Sequence, residues 1–131
     1  MKTTTILATL AVVLGASIDG VTATCFRSGD IFQDKGNARW HVERACKGYD
    51  NQQGFFQGTF AAGESKYTCV QGSTTQKYDI TVRNENTNAA IDLNDDDCVL
   101  RLHNEINGCD HGGDSTVSGW RFIVDPNNGI C

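Results

Sequence analysis

Lys77–Asn84 reads KYDITVRN. Tyr78, Ile80 and Val82 alternate with Asp79, Thr81 and Arg83, so an extended chain places the apolar set on one face and the polar set on the other. This is the pattern of a strand with one buried face. Upstream, Lys66–Gln71 (KYTCVQ) alternates in the same way, and Gly72-Ser73-Thr74 between the two runs supplies a turn. Gly54–Phe60 (GFFQGTF) is rich in aromatics and reads as a further strand, closed by a turn at Ala61-Ala62-Gly63. Three runs at hairpin distances predict an antiparallel meander.

Helical spacing flanks these strands. In Asp34–Cys46, Ala38, Val42, Ala45 and Cys46 recur at intervals of three and four, and Gly48 follows as a stop signal. In Asn94–Asn107, Cys98, Leu102 and Ile106 fall on one face. Asp95, Asp96 and Asp97 at its start complement the positive end of the helix dipole, and Gly108 ends it. Ala89–Leu93 reads as a short edge strand or lead-in, and Cys109–Gly119 as a glycine-rich loop. Trp120, Phe122 and Val124 alternate in a last strand, followed by a turn signal at Asp125–Gly129. Helix, strands, helix and returning strand predict an α+β fold with a mostly antiparallel sheet of four to five strands covered by helices.

The chain of 131 residues begins with Met1-Lys2 and an apolar run, Ile6–Ala16, of signal-peptide length and too short to span a bilayer as a helix. Small residues at Val21-Thr22-Ala23 place the expected cleavage after Ala23. Residues 1–23 therefore read as a signal peptide and residues 24–131 as one secreted, extracellular domain. All six cysteines, Cys25, Cys46, Cys69, Cys98, Cys109 and Cys131, lie in that domain. An even number in an exported chain implies three disulfides, with about 15 pairings open. Cys25 and Cys131 stand at the two ends of the expected mature chain, so both ends read as stapled. No C-x-x-C pair and no alternating acidic ligand pattern points to a metal, and no cofactor motif is present.

A net charge of −5 argues against nucleic acid or an anionic membrane as a partner held by bulk electrostatics. Two kinds of chemistry remain. A small secreted hydrolase such as a ribonuclease would use His103 or His111 with a carboxylate (Glu43 or Glu105) and a cation such as Arg101 or Arg121. The loop DHGGDS offers Asp110, His111, Asp114 and Ser115, but the G-x-S-x-G elbow is absent. The spacing of these groups converges on no recognised catalytic pattern. A sugar-binding surface would instead need aromatic faces beside polar side chains. Tyr49, Asp50 and Asn51 in GYDNQQG provide one such mixture, and Arg83, Asn84 and Asn86 another. A third reading is an effector that binds a host protein.

Four stretches carry a family resemblance: CFRSG at Cys25, the helix ending in AC at Cys46, CVLRLHNEINGCDHGGDS from Cys98, and GWRFIVDPNNGIC to Cys131. Together they resemble the glycan-binding protein Y3-like family of small cysteine-rich mushroom lectins. The resemblance implies a single-domain α/β/α sandwich with its antiparallel sheet between helices. It also implies carbohydrate binding without catalysis, and a homodimer joined through sheet edges. It carries no sugar-contacting residues over to this sequence.

Overall fold

The computed structural model describes residues 22–131; the apolar run at 6–16 lies outside the described residues. Seven strands and two helices follow in the order β1 (Thr22–Cys25), α1 (Lys35–Lys47), β2 (Thr59–Phe60), β3 (Ser65–Gln71), β4 (Gln76–Asn84), β5 (Ile91–Asp92), α2 (Asp95–Asn107), β6 (Gly113–Val117) and β7 (Trp120–Asn128). The expected boundary after Ala23 falls inside β1, with Thr24 and Cys25 on its C-terminal side.

The main sheet has five strands in the order β1-β6-β7-β4-β3, every pair antiparallel. The β3–β4 hairpin forms as expected, with Val70 opposite Tyr78 and Thr68 opposite Ile80. KYDITVRN lies next to the centre: Tyr78, Ile80 and Val82 are fully buried, while Lys77, Asp79, Thr81 and Arg83 are only partly covered. The same alternation runs through β7, where Trp120, Phe122 and Val124 are buried.

Both helices cover that one apolar face. Asn37 of α1 donates to the Tyr78 hydroxyl (3.3 Å), and Ser115 of β6, on the face of Phe122, donates to Glu105 of α2. The helices pack on each other and are joined by Cys46–Cys98. The α+β class and the antiparallel main sheet of five strands are therefore as the sequence predicts. Among the described residues both helices lie on one face of the main sheet, and its other face is open. The physical reason is in the alternation itself. The open face carries Lys77, Asp79, Arg83, Asp114, Arg121 and Asp125, and burying it beneath a helix would desolvate charges. On that face Arg121 donates to both Asp114 oxygens (3.0 and 2.6 Å), and Asp79 accepts from Tyr67 and Asn127.

Three expectations change. Only Thr59–Phe60 of the aromatic run is a strand, pairing with Ile91–Asp92 in a separate two-stranded ribbon. Phe56, outside that strand, and Phe60, within it, both plug the core at no more than 1% exposure, with Phe60 packed edge-on to Trp120 at 5.0 Å. Gly113–Val117 is a strand rather than loop, its alternation Gly-Asp-Ser-Thr-Val hidden by small inward residues. The inward Gly113 leaves room for Glu105, since a Cβ there would lie 2.7 Å from its carboxylate. Finally, Asp125-Pro126-Asn127-Asn128 continues β7 instead of turning. β6 ends at Gly113 opposite Val124, so β7 beyond that point is an edge on one side, a place where proline is tolerated.

Each helix starts on a side-chain cap. Asp34 accepts from Asn37 N–H, and Asn94 accepts from the N–H groups of Asp96 and Asp97. The acidic run Asp95–Asp97 is thereby a helix start; Asp96 also pairs with Lys47 at 3.0 Å.

The three disulfides are Cys25–Cys109, Cys46–Cys98 and Cys69–Cys131. The last ties the end of the chain to outer strand β3, beside a bond from the Cys131 N–H to Gln71 (2.8 Å). Replacing Cys131 by Ser, with Cys69→Ser to avoid a free thiol, should lower stability by about 2–4 kcal/mol, read as a fall in Tm. Equal Tm values would show the bridge to be dispensable. A second expectation concerns Glu105. Burial pushes its carboxyl pKa up, and the bond from Ser115 offsets this only in part. A raised folded-state pKa means the native state binds the proton more tightly than the unfolded chain, so this group destabilises increasingly as pH rises above the ordinary carboxylate range. Glu105→Gln should therefore raise Tm more at pH 7 than at pH 4; an increment that is equal or larger at pH 4 would contradict this.

Candidate functional site

At the C-terminal end of α1 the chain makes a tight excursion before reaching β2. Gly48 ends the helix at φ +78, its N–H bonded to Arg44 O (2.8 Å). Tyr49 and Gln52 then exchange two backbone bonds (3.1 and 2.7 Å) around Asp50 and Asn51, which have φ +47 and +64. Two consecutive left-handed residues make a tight I′-like hairpin turn, and Asp and Asn are among the few side chains that tolerate it. Gly54 brings the loop back against the helix: a Cβ at that position would lie 2.5 Å from Ala45 O. Gln57 secures the loop from below, donating to Lys47 O (3.1 Å) and Asp95 (2.8 Å) and accepting from Gly54 N–H (2.6 Å).

This excursion walls a cavity of about 410 Å³ between α1, the loop and outer strand β3. Trp40, Tyr49 and Phe55 form its aromatic sides, and Ala45, Thr68 and Val70 its floor. The three aromatics are 49%, 40% and 49% exposed, an unusual concentration of apolar rings left in water beside a core that buries Phe56 and Phe60. His41, Arg44, Gln52 and Gln53 supply polar groups. Trp40 and Arg44 are helix neighbours at i, i+4, and the Arg44 guanidinium packs on two rings, 4.1 Å from the Trp40 centroid and 3.6 Å from that of Tyr49. His41 packs edge-on to Trp40 at 4.8 Å. Burial, with Arg44 as a smaller cause, lowers its pKa below the ordinary imidazole value, so His41 is neutral at pH 7.

Of the residues singled out from sequence, Tyr49 lines this cavity. Asp50 and Asn51 form the adjoining turn tip, with Asp50 4.0 Å from Arg44. Arg83, Asn84 and Asn86 lie elsewhere, at the far end of β4 and in the loop after it. Asn84 is an interior residue at 0% exposure; its amide donates to the carbonyls of Ala61 (3.2 Å) and Ala89 (3.0 Å) and its oxygen accepts from Asn86 N–H (2.9 Å). These contacts give Asn84 a loop-closing role. Asn86 in turn accepts from Asn88 N–H (2.8 Å), and Arg83 faces Glu85 at 3.8 Å. Trp40, Arg44 and Phe55 line the cavity as well and are not among the residues singled out from sequence, whereas Gln52 and Gln53 belong to the GYDNQQG stretch. The available signal was Trp40 itself, a tryptophan off the apolar face of its helix and four residues before an arginine.

Of the groups considered for hydrolysis, His103 and Glu43 come together, while His111, Glu105 and Arg121 are held apart from them by other partners. His103 sits 3.6 Å from Glu43 and 3.3 Å from Arg39 O, between the helices. His111 is bonded through Nδ1 to Gly29 O (3.0 Å). Glu105 is inside, bonded by Ser115, and Arg121 is spent on Asp114.

The family model for Glycan binding domain Y3 matches residues 37–131. The chain belongs to that family. The matched stretch contains every residue lining the cavity. No curated protein and no solved structure matches the chain. Membership of a glycan-binding family gives this protein a glycan-binding role and a glycan as partner. Among the described residues no helix is long and apolar enough to cross a membrane.

Proposed function

We propose that the protein is a secreted lectin of fungal type that binds an extracellular oligosaccharide reversibly, without catalysis or cofactor, in the cavity between α1, the Tyr49 loop and β3. The observation that carries this reading is the trio of exposed rings, Trp40, Tyr49 and Phe55, converging on one recess with amide and guanidinium donors between them. Sugars present C–H faces that pack on aromatic rings and hydroxyls that need fixed donors and acceptors, and this recess offers both. Its volume is that of an ordinary small-ligand pocket. Three disulfides and the apolar run at Ile6–Ala16 support export to an oxidising compartment.

A homodimer through sheet edges belongs to the same proposal. β3 and β1 are the outer strands, and an outer strand leaves a row of backbone donors and acceptors without a strand partner. Sedimentation velocity of the oxidised domain should give a dimer. A monomer at all micromolar concentrations would remove that part and leave sugar binding untouched.

The lectin reading is tested by glycan-array binding with wild type and single ring deletions. Tyr49→Ala and Trp40→Ala should each weaken binding by roughly tenfold, the loss of about 1–2 kcal/mol of ring contact, while Asn86→Ala leaves it unchanged. Wild-type affinity in both ring variants would place the sugar elsewhere.

A further inference from the structure

We propose that this cavity recognises an anionic group on its glycan, a carboxylate or a sulfate, through Arg44. The inference deepens the glycan-binding reading and rests on it. Arg44 is the one described arginine set against two aromatic rings, and like Arg27, Arg83 and Arg101 it has donors no side chain or backbone acceptor uses. Arg39 donates to Asn107 (2.8 Å) and Arg121 makes a forked pair with Asp114, each a donor already employed. Arg44 makes no side-chain hydrogen bond among the described residues. Its nearest acid, Asp50, is 4.0 Å away, beyond hydrogen-bond reach, on a turn tip whose side chain is 85% exposed.

The two flanking rings decide how those donors can be used. Trp40 and Tyr49 both pack on the guanidinium, 4.1 and 3.6 Å from Cζ to ring centroid, and restrict a normally flexible side chain. A planar fork covered by aromatic surfaces presents its N–H groups at its edge, where a carboxylate or sulfate accepts two of them side by side. Much of the entropy lost when a free arginine is immobilised is here lost on folding. Both rings also line the cavity, so an anion on the fork brings its sugar ring against Trp40, Tyr49 and Phe55.

The rest of the lining agrees. His41 is neutral, and Arg44 is the one fixed cation among the lining residues, which include no acid; Asp50 on the adjoining turn pairs with it only at 4.0 Å. The protein as a whole is net −5, so long-range attraction does not draw acidic glycans in; recognition is local to the fork and sensitive to salt. A neutral hydroxyl can accept from Arg44 too, but charge-assisted bonds are roughly twice as strong as neutral ones.

The experiment uses the oxidised protein on an array of matched glycans, each core present in neutral, sialylated, uronic-acid and sulfated form, at 50 and 300 mM NaCl. Wild type is compared with Arg44→Gln and Arg44→Lys, each checked for native disulfides and near-UV circular dichroism. Wild type should prefer acidic members by roughly tenfold over their neutral partners, in line with one charge-assisted contact. That preference should shrink at high salt, vanish in Arg44→Gln and survive in part in Arg44→Lys. Carboxylate and sulfate arms show which anion the fork accepts. Equal binding of neutral and acidic partners, with Arg44→Gln weakening both alike, would overturn the proposal and leave the lectin reading standing with Arg44 as a ring spacer. If folded wild type binds no member of any pair, both readings fall.

Discussion

One-sided burial of the central strands governs this molecule. Tyr78, Ile80 and Val82 of β4, with Phe122 and Val124 of β7, present a continuous apolar surface that water must not reach, and only one face of the sheet is built this way. Covering it takes both helices, side by side, which is why Val42 and Ala45 of one and Leu102 and Ile106 of the other enter the same core. Side-by-side placement sets Cys46 against Cys98 and lets Gln57 reach both helices. The open face follows as the complement: a surface of paired charges that stays in water because nothing offsets the cost of desolvating it.

The cavity is a by-product of that covering. A gap is left between α1 and outer strand β3, and the chain leaving α1 walls it. It does so through a loop pinned at Gly48 and Gly54, and the pinning turns Tyr49 back over Arg44 while Phe56 plugs the core beneath. The rings that remain outside are those the loop has no interior left to receive. A rigid frame that leaves aromatic faces in water is a costly feature for a domain of this size, and ligand binding gives it a physical purpose. The caged guanidinium refines the same point: a donor fork fixed by folding needs little further ordering when an acceptor arrives.

The disulfides act at the edges of this scheme rather than in its chemistry. Cys25–Cys109 holds the outer strand β1 to the loop after α2, and Cys69–Cys131 holds the chain end to the other outer strand. Edge strands and chain ends open most readily, so stapling both limits local unfolding where it would start. A domain with one open sheet face and a modest core gains most from bonds placed there.

By itself the sequence determined the α+β class, both helices nearly to the residue, the β3–β4 hairpin and the three-bridge frame, because each follows from a local period, a cap or a count. It also carried the family, through cysteine-centred stretches at both ends of the chain. Tertiary structure alone decided the rest. Alternation says that a strand has two unlike faces but not which partner covers which, so the two helices sharing one face were not visible. Gly113–Val117 hid as loop because a small residue facing Glu105 carries no hydrophobic signal. Asn84 looked like a surface donor because its partners, the carbonyls of Ala61 and Ala89, sit on the segments either side of it and meet it only in the fold. Trp40, Tyr49 and Phe55 lie on a helix, a turn and a loop; what makes them one site is the return of the chain between Gly48 and Gly54, a three-dimensional closure that no period along the chain records.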